Sequence, residues 1–275
     1  MAKSKEFNFT DKDFHFIRKL VLDKTGIALS EAKSDMVYSR LTRRLRILNL
    51  NRFAEYLNIL KNNDEEELVH FVNAITTNLT SFFRENHHFE FLANTLLPKL
   101  LKTKSDRRLR IWSAGCSTGE EPYSIAMVIR ELMSKAQDWD VKILATDLDS
   151  NVVENASNGI YMRDKLTGVS DKRLKRFFQT NNSSGEVKAG NEIRDLITFK
   201  QLNLMHEWPF KGPFDFIFCR NVVIYFNKDT QRELFERYAN YTVDGGHLFI
   251  GHSESLFKVC DRYELLGNTI YNKVK

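Results

Sequence analysis

The chain has 275 residues, 42% of them apolar and 28% charged, and a formal net charge of +5. This is the make-up of an ordinary globule, long enough for one large domain and a smaller one. No window approaches the roughly 18 uninterrupted apolar residues that cross a bilayer, and the opening MAKSKEFNFTDKDF lacks the apolar core of a signal peptide. Cys116, Cys219 and Cys260 show no CxxC spacing, so neither a disulfide framework nor a zinc site is indicated, and a cytoplasmic protein with free thiols is expected.

The positive charge is N-terminal. Residues 1–63 hold 13 Lys plus Arg against 7 Asp plus Glu, whereas the rest hold 28 against 29. Such a surplus attracts an acidic partner, be it nucleic acid, membrane or acidic protein. In this region Phe14, Ile17, Val21 and Leu22 recur at helical spacing until Thr25-Gly26 stops the pattern. Val37, Leu41, Leu45 and Leu48 predict a second helix. Two further apolar sets, Phe53, Tyr56, Leu57 and Leu60, then Leu68, Phe71, Val72 and Ile75, complete a small bundle. In the second helix the apolar residues span about 80° of arc, which leaves Arg40, Arg43 and Arg46 in an adjoining one. That row is either a solvated charged face or a docking surface, because guanidinium forms forked bonds to carboxylates and phosphates.

The next segment, Thr76 to Glu85 (TTNLTSFFRE), places Asn, Thr and Arg among aromatics, more chemistry than a passive linker needs, and is expected to join the site. His87-His88 follows without a surrounding carboxylate–histidine pattern, and adjacent helical residues diverge by about 100°, so no metal is expected.

From Leu109 the pattern becomes short apolar runs alternating with helix-length segments: Leu109 to Ser113, Val141 to Ala145, Phe214 to Cys219 and His247 to Gly251. This predicts an α/β fold, a doubly wound, mostly parallel sheet with helices on both faces. Tyr263 to Leu266 and Thr269 to Val274, on either side of Gly267-Asn268, predict a terminal antiparallel hairpin. The polar stretch QTNNSSGEVKAG and the alternation after it place a small inserted β subdomain at about 179–202. The resulting division is a helical N-terminal domain at 1–76, a linker and first helix at 77–104, and a cofactor domain at 105–275.

The segment RIWSAGCSTGEEPY is the most informative. Ile111 and Trp112 read as the end of a buried strand; Gly115 and Gly119 allow a tight turn with close ligand approach, before the helix Pro122 to Met133. Glu120 and Glu121 set the sign of the ligand. Two carboxylates repel a pyrophosphate that bare amides would bind, and welcome a cation. S-adenosylmethionine, with ammonium and sulfonium charges and no phosphate, fits better than NAD or ATP, although the pair would also favour a helix's first turn. The second strand ends in Thr146-Asp147-Leu148-Asp149, where Asp147 is placed either to accept from ribose hydroxyls or to cap the helix from Asn151. Ligands in such sheets bind beyond the carboxyl ends of strands, which brings in Arg220 and Asn221 after the run FDFIFC, with Tyr225 close behind. Asn203 is a candidate for the adenine edge or a turn residue.

TTNLTSFFRENHHF, WSAGCSTGEEPYSIAM, ATDLD, FDFIFCRNVVIYF and GGHLFIGHSES, in this order, make nearly the whole chain resemble the CheR family of chemotaxis receptor glutamate O-methyltransferases. The resemblance implies a class I S-adenosylmethionine-dependent methyltransferase domain with an all-helical N-terminal domain and an inserted β subdomain. It also implies methyl transfer to receptor glutamates, giving γ-methyl esters and S-adenosylhomocysteine in sensory adaptation. By the same resemblance Asn78, Thr80 and Arg84 contact the cofactor, with Arg84 also near the reacting centre. Glu120 or Glu121 meets its charged end, Asp147 the ribose, Asn203 and Leu204 the adenine side, and Arg220, Asn221 and Tyr225 complete the pocket. Arg40, Arg43 and Arg46 match a basic helix laid against the acidic helical bundle of the receptor, and the β insertion grips the receptor's C-terminal tail in some members. The rival readings are a nucleic-acid methyltransferase and a non-catalytic cofactor- or receptor-binding scaffold. Against the first, the fourth-strand tip reads CRNV, with no Asn/Asp-Pro-Pro-aromatic motif.

Overall fold

The computed structural model describes residues 5–133, 138–181 and 183–275. Its N-terminal part is built from α1 (Asp11–Thr25), α2 (Ser34–Ile47), α3 (Phe53–Lys61) and α4 (Glu65–Ile75). Thr10 and Asp13 form a reciprocal capping box at the start of α1, and Gly26, at φ +75°, ends it where the pattern predicted. Phe14, Ile17, Val21, Val37, Leu41, Leu45, Phe53, Tyr56, Leu57, Leu60, Phe71 and Ile75 close one apolar core. Leu22, expected among them, is 40% exposed.

The chain continues through α5 (His87–Phe91) and, after one π-helical turn, α6 (Leu97–Thr103). It then lays down β1 (Arg108–Ala114), α7 (Glu120–Met133), β2 (Asp140–Asp147), α8 (Ser150–Asn158), β3 (Ile160–Met162), α9 (Asp171–Phe177), β4 (Phe178–Asn181), β5 (Glu186–Ala189), α10 (Asn191–Arg194), β6 (Ile197–Gln201), β7 (Phe214–Cys219), α11 (Lys228–Asn240), β8 (Thr242–Ile250), β9 (Tyr263–Gly267) and β10 (Ile270–Lys273). The main sheet has the order β6-β2-β1-β7-β8-β10-β9. Its first five strands are parallel, and β10 pairs antiparallel with both β8 and β9. Alternation within β1 sends Leu109 and Ile111 to one apolar layer and Trp112 and Ala114 to the other, so both faces are covered, as a parallel sheet requires.

The insertion differs from expectation. The small antiparallel sheet is β3-β5-β4 and opens at Ile160, whereas Ile197–Gln201, assigned to it by alternation, is the parallel edge strand of the main sheet on β2. An edge strand leaves one face partly solvated and therefore alternates like an antiparallel one. Asn182, inside the insertion, lies outside the described residues. Among the described residues no helix is long and apolar enough to cross a membrane.

Candidate cofactor and active site

Strand order reverses between β1 and β7, and a cavity of about 440 Å³ opens at the carboxyl ends of β1, β2 and β7. Its floor is rigid. Trp112 is fully buried, packs edge-on against Trp208 at 4.6 Å, and donates through Nε1 to Thr146 Oγ1 at 2.9 Å. Above it the loop from β1 to α7 turns at Gly115, φ +94°, where a Cβ would meet Val222 Cγ2 at 2.3 Å.

The loop amides are turned inward. Gly115 N and Cys116 N both donate to Thr146 O (2.8 and 2.9 Å), and Gly119 N donates to Cys116 O at 3.0 Å. Ser117 N donates to Asp147 Oδ2 at 2.8 Å. A phosphate would find these donors spent and carboxylates beside them, so a cationic, hydroxyl-bearing ligand fits the donor set and an anionic one does not.

The cavity separates the adjacent glutamates. Glu121 lines it, accepting from Ser113 Oγ at 2.7 Å and pairing with Arg220 Nη1 at 3.0 Å. Glu120 accepts from Thr118 Oγ1 at 2.6 Å and is not part of the wall. Burial raises the pKa of both carboxyls, against the lowering by Arg220 at Glu121 and by Thr118 at Glu120. Asp147 is raised for the same first reason, and its Oδ1 also accepts from Asp149 N at 3.0 Å. The helix cap considered for Asp147 belongs to Asp149, which accepts from Asn151 N at 3.0 Å.

The linker forms one side of the cavity. Asn78, Thr80 and Arg84 all line it. Asn78 Nδ2 donates to Asp149 Oδ2 at 2.7 Å, its carbonyl accepts from Ser117 Oγ at 2.9 Å, and Arg84 Nη1 donates to Leu79 O at 2.8 Å. Asn203 and Leu204 line the far side. There Asn203 also holds a turn, donating to Lys24 O at 2.7 Å and accepting from Met205 N at 3.0 Å. Arg220, Asn221 and Tyr225 lie on the β7 side, where Asn221 takes a left-handed φ of +58°.

Two carboxylates not singled out in the sequence hold this side together. Glu254 is 6% exposed and accepts from Gly251 N (2.5 Å), Asn221 N (3.0 Å) and Ile224 N (3.3 Å), and burial raises its pKa. Glu85 lies 3.2 Å from Arg220 Nη2 and accepts from His252 Nδ1 at 2.8 Å. Burial would raise its pKa, but the His252 hydrogen bond and the Arg220 charge outweigh that and hold it at about 2. Their signal was the single carboxylate in each motif, TSFFRE and GHSES. Glu85, His87 and His88 do bring ligand atoms within 4.8 Å of one another, yet the Arg220 guanidinium already occupies that carboxylate.

Arg40, Arg43 and Arg46 lie outside the cavity lining, on α2. Arg43 is exposed, Arg46 makes an exposed pair with Glu6, and Arg40 turns inward onto the end of α4.

Residues 78–272 match the family described as CheR methyltransferase, SAM binding domain, and residues 12–76 match CheR methyltransferase, all-alpha domain. The chain belongs to the CheR methyltransferase family. Among relatives, chemotaxis protein methyltransferase 2 of Pseudomonas aeruginosa is 43% identical over 98% of this chain and 95% of its own length. A probable chemotaxis protein methyltransferase of Rhizobium etli is 45% identical over 86% and 89% respectively. The chemotaxis protein methyltransferase of Escherichia coli is 42% identical over 95% and 91%. The two family matches fall on the two parts described above, and both parts line the cavity, with Thr25, Ile27 to Ser30, Lys33, Met36 and Ile75 coming from the helical one.

Proposed function

We propose that this protein methylates glutamate side chains of chemotaxis receptors, using S-adenosylmethionine and releasing S-adenosylhomocysteine. The observation that carries the reading is the cavity wall in which Glu121 and Asp147 stand beside a loop whose amides are internally bonded. Glu121 would hold the ammonium end and Asp147 the ribose hydroxyls, with Asn203 and Leu204 beside the adenine and Asn78, Thr80, Arg220 and Asn221 closing the pocket.

When bound, the cofactor would supply an electrophilic sulfonium methyl with a neutral thioether as its leaving group. An acceptor glutamate, with a pKa of about 4.3, is ionised at neutral pH, so the protein need not supply a strong base. Its remaining task is alignment and exclusion of water. Arg84 can orient the carboxylate, and Tyr225 borders the reacting centre. Leu79, 80% exposed, and Ile224, 48% exposed, bring apolar surface to the cavity lining, where an acceptor helix would displace solvent.

Arg43 and Arg46 offer guanidinium to the acidic receptor bundle. The Arg46–Glu6 pair is too exposed to resist exchange for a receptor carboxylate. The inserted small sheet would receive the receptor's C-terminal tail, checked by pull-down with and without that tail.

Incubation with tritiated methyl donor, a receptor cytoplasmic fragment and nucleic acid in parallel tests the whole reading. Base-labile label on the receptor is the expected result. Label on nucleic acid, or none, overturns it.

A further inference from the structure

Arg40 shares a helix and an arc with Arg43 and Arg46 but does different work. Its Nη1 donates to Ile75 O and Thr76 O, both at 2.6 Å, and reaches Ala74 O at 3.5 Å; its Nη2 donates to Thr77 Oγ1 at 3.1 Å. These are the carbonyls that α4 leaves without partners as it ends, and the last turn of α4 has no basic residue of its own. A guanidinium there meets both their hydrogen-bonding need and the negative end of the helix dipole. Among the described residues no carboxylate pairs with Arg40, whereas Arg44 and Arg46 on the same helix each have one.

The chain it grips is already cavity wall, since Ile75, Thr76 and Thr77 line the cavity together with Asn78 to Ser81. Thr76 Oγ1 and Asn78 Nδ2 both donate to Asp149 Oδ2 at 2.7 Å. Asn78 O accepts from Ser117 Oγ, and Ser117 N donates to Asp147. A continuous run of hydrogen-bonded groups therefore joins α2 to the acidic end of the cavity.

We infer that Arg40 is a positioning residue for the cofactor cavity: it fixes the exit of α4 so that residues 76–80 form the cavity wall, and it is not a receptor contact. This rests on the reading of the cavity as an S-adenosylmethionine site.

The test is calorimetry of S-adenosylmethionine and S-adenosylhomocysteine with the full chain, without receptor, so that docking cannot contribute. Arg40→Ala is expected to weaken both ligands about tenfold or more. Arg40→Lys keeps the charge but cannot span the carbonyls and the hydroxyl together, and recovers part of the affinity. Arg44→Gln is the control for mere destabilisation. It breaks the Arg44–Glu67 pair on the same α2–α4 seam (Nε to Oε1 3.0 Å) without touching residues 74–77. It should melt lower yet bind both ligands as the wild type does.

Unchanged binding by Arg40→Ala together with a raised KM for the receptor fragment would make Arg40 a docking contact and overturn the inference. Loss of affinity by Arg44→Gln in step with its melting temperature would overturn it as well. Should Arg40→Ala fail to fold, Arg40→Lys decides: it must bind more weakly while melting no lower than Arg44→Gln. Absence of binding by the wild type would instead sink the cofactor reading itself, and the inference with it.

Discussion

At Glu121 burial and pairing pull in opposite directions. Removal from water favours the neutral acid and raises the pKa; Arg220 and Ser113 favour the carboxylate without fully reversing the shift. A cationic ligand needs the charged form. Affinity for S-adenosylmethionine should therefore be full above the raised pKa and fall as pH drops through it, above the usual carboxylate range. Glu121→Gln is expected to lose about tenfold to a hundredfold in affinity at pH 7, from one charge-assisted contact, and to flatten the profile. Asp147, also raised by burial, leaves a residual slope. Titration calorimetry between pH 5 and 8 checks this, and parallel profiles for variant and wild type would contradict it. Arg84→Ala is expected to lower turnover far more than cofactor affinity, since its guanidinium is assigned to the acceptor. Equal loss in steady-state rate and in binding would count against that division.

The segment from the end of β7 through the 3-10 turn Val223–Tyr225 carries Asn221 and Tyr225, and Glu254 fixes it from behind. One buried carboxylate there receives three backbone N–H groups. In Glu254→Gln one of the two oxygens becomes an NH₂ facing a donor, so at least one amide is orphaned. The expected cost is about 1–3 kcal/mol of stability, accompanied by weaker cofactor binding because Asn221 loses its left-handed anchor. Urea unfolding and calorimetry on the same preparation test both, and a variant as stable and as tight-binding as the wild type refutes the role. Helix and strand types were legible at this scale because their periods are local, as with α1 stopping at Gly26 and β7 at Cys219. The membership of Ile197–Gln201 was not: alternation reports one wet face, and a parallel edge strand has one as surely as an inserted hairpin.

Across the whole molecule the buried histidines set the acid limit. Burial, then the Arg220 charge, depresses His88 to about 3, and burial, then Lys99, depresses His247 to about 4. In the unfolded chain each titrates near 6.5. Below that pH the unfolded state holds the extra proton, so stability is intact above pH 6.5 and declines as pH falls toward the folded values, by about 1.4 kcal/mol per pH unit for each fully titrating histidine. Raised carboxyls such as Glu121, Asp147 and Glu254 bind protons more readily when folded and oppose this slope as their own range is reached. The net fall should be clearest between pH 7 and 5.5 in chemical denaturation, and His247→Gln should flatten it. A stability curve level across that range would exclude the account.

By itself the sequence determined the helical bundle, the alternating α/β sheet, the cationic sign of the ligand and the cavity residues of the linker and the strand ends, but not those between Thr25 and Met36. Each rests on short-range information: apolar period, a glycine at a left-handed turn, or carboxylates next to a loop. Only the tertiary structure decided which way three ambiguous groups face. Glu121 rather than Glu120 reaches the cavity, Asp149 rather than Asp147 caps α8, and Arg40 turns from its row onto the end of α4. Neighbouring side chains on a helix diverge by about 100°, and a charged side chain goes where distant, non-sequential partners leave unmet charge or unpaired carbonyls. No local pattern holds the positions of those partners.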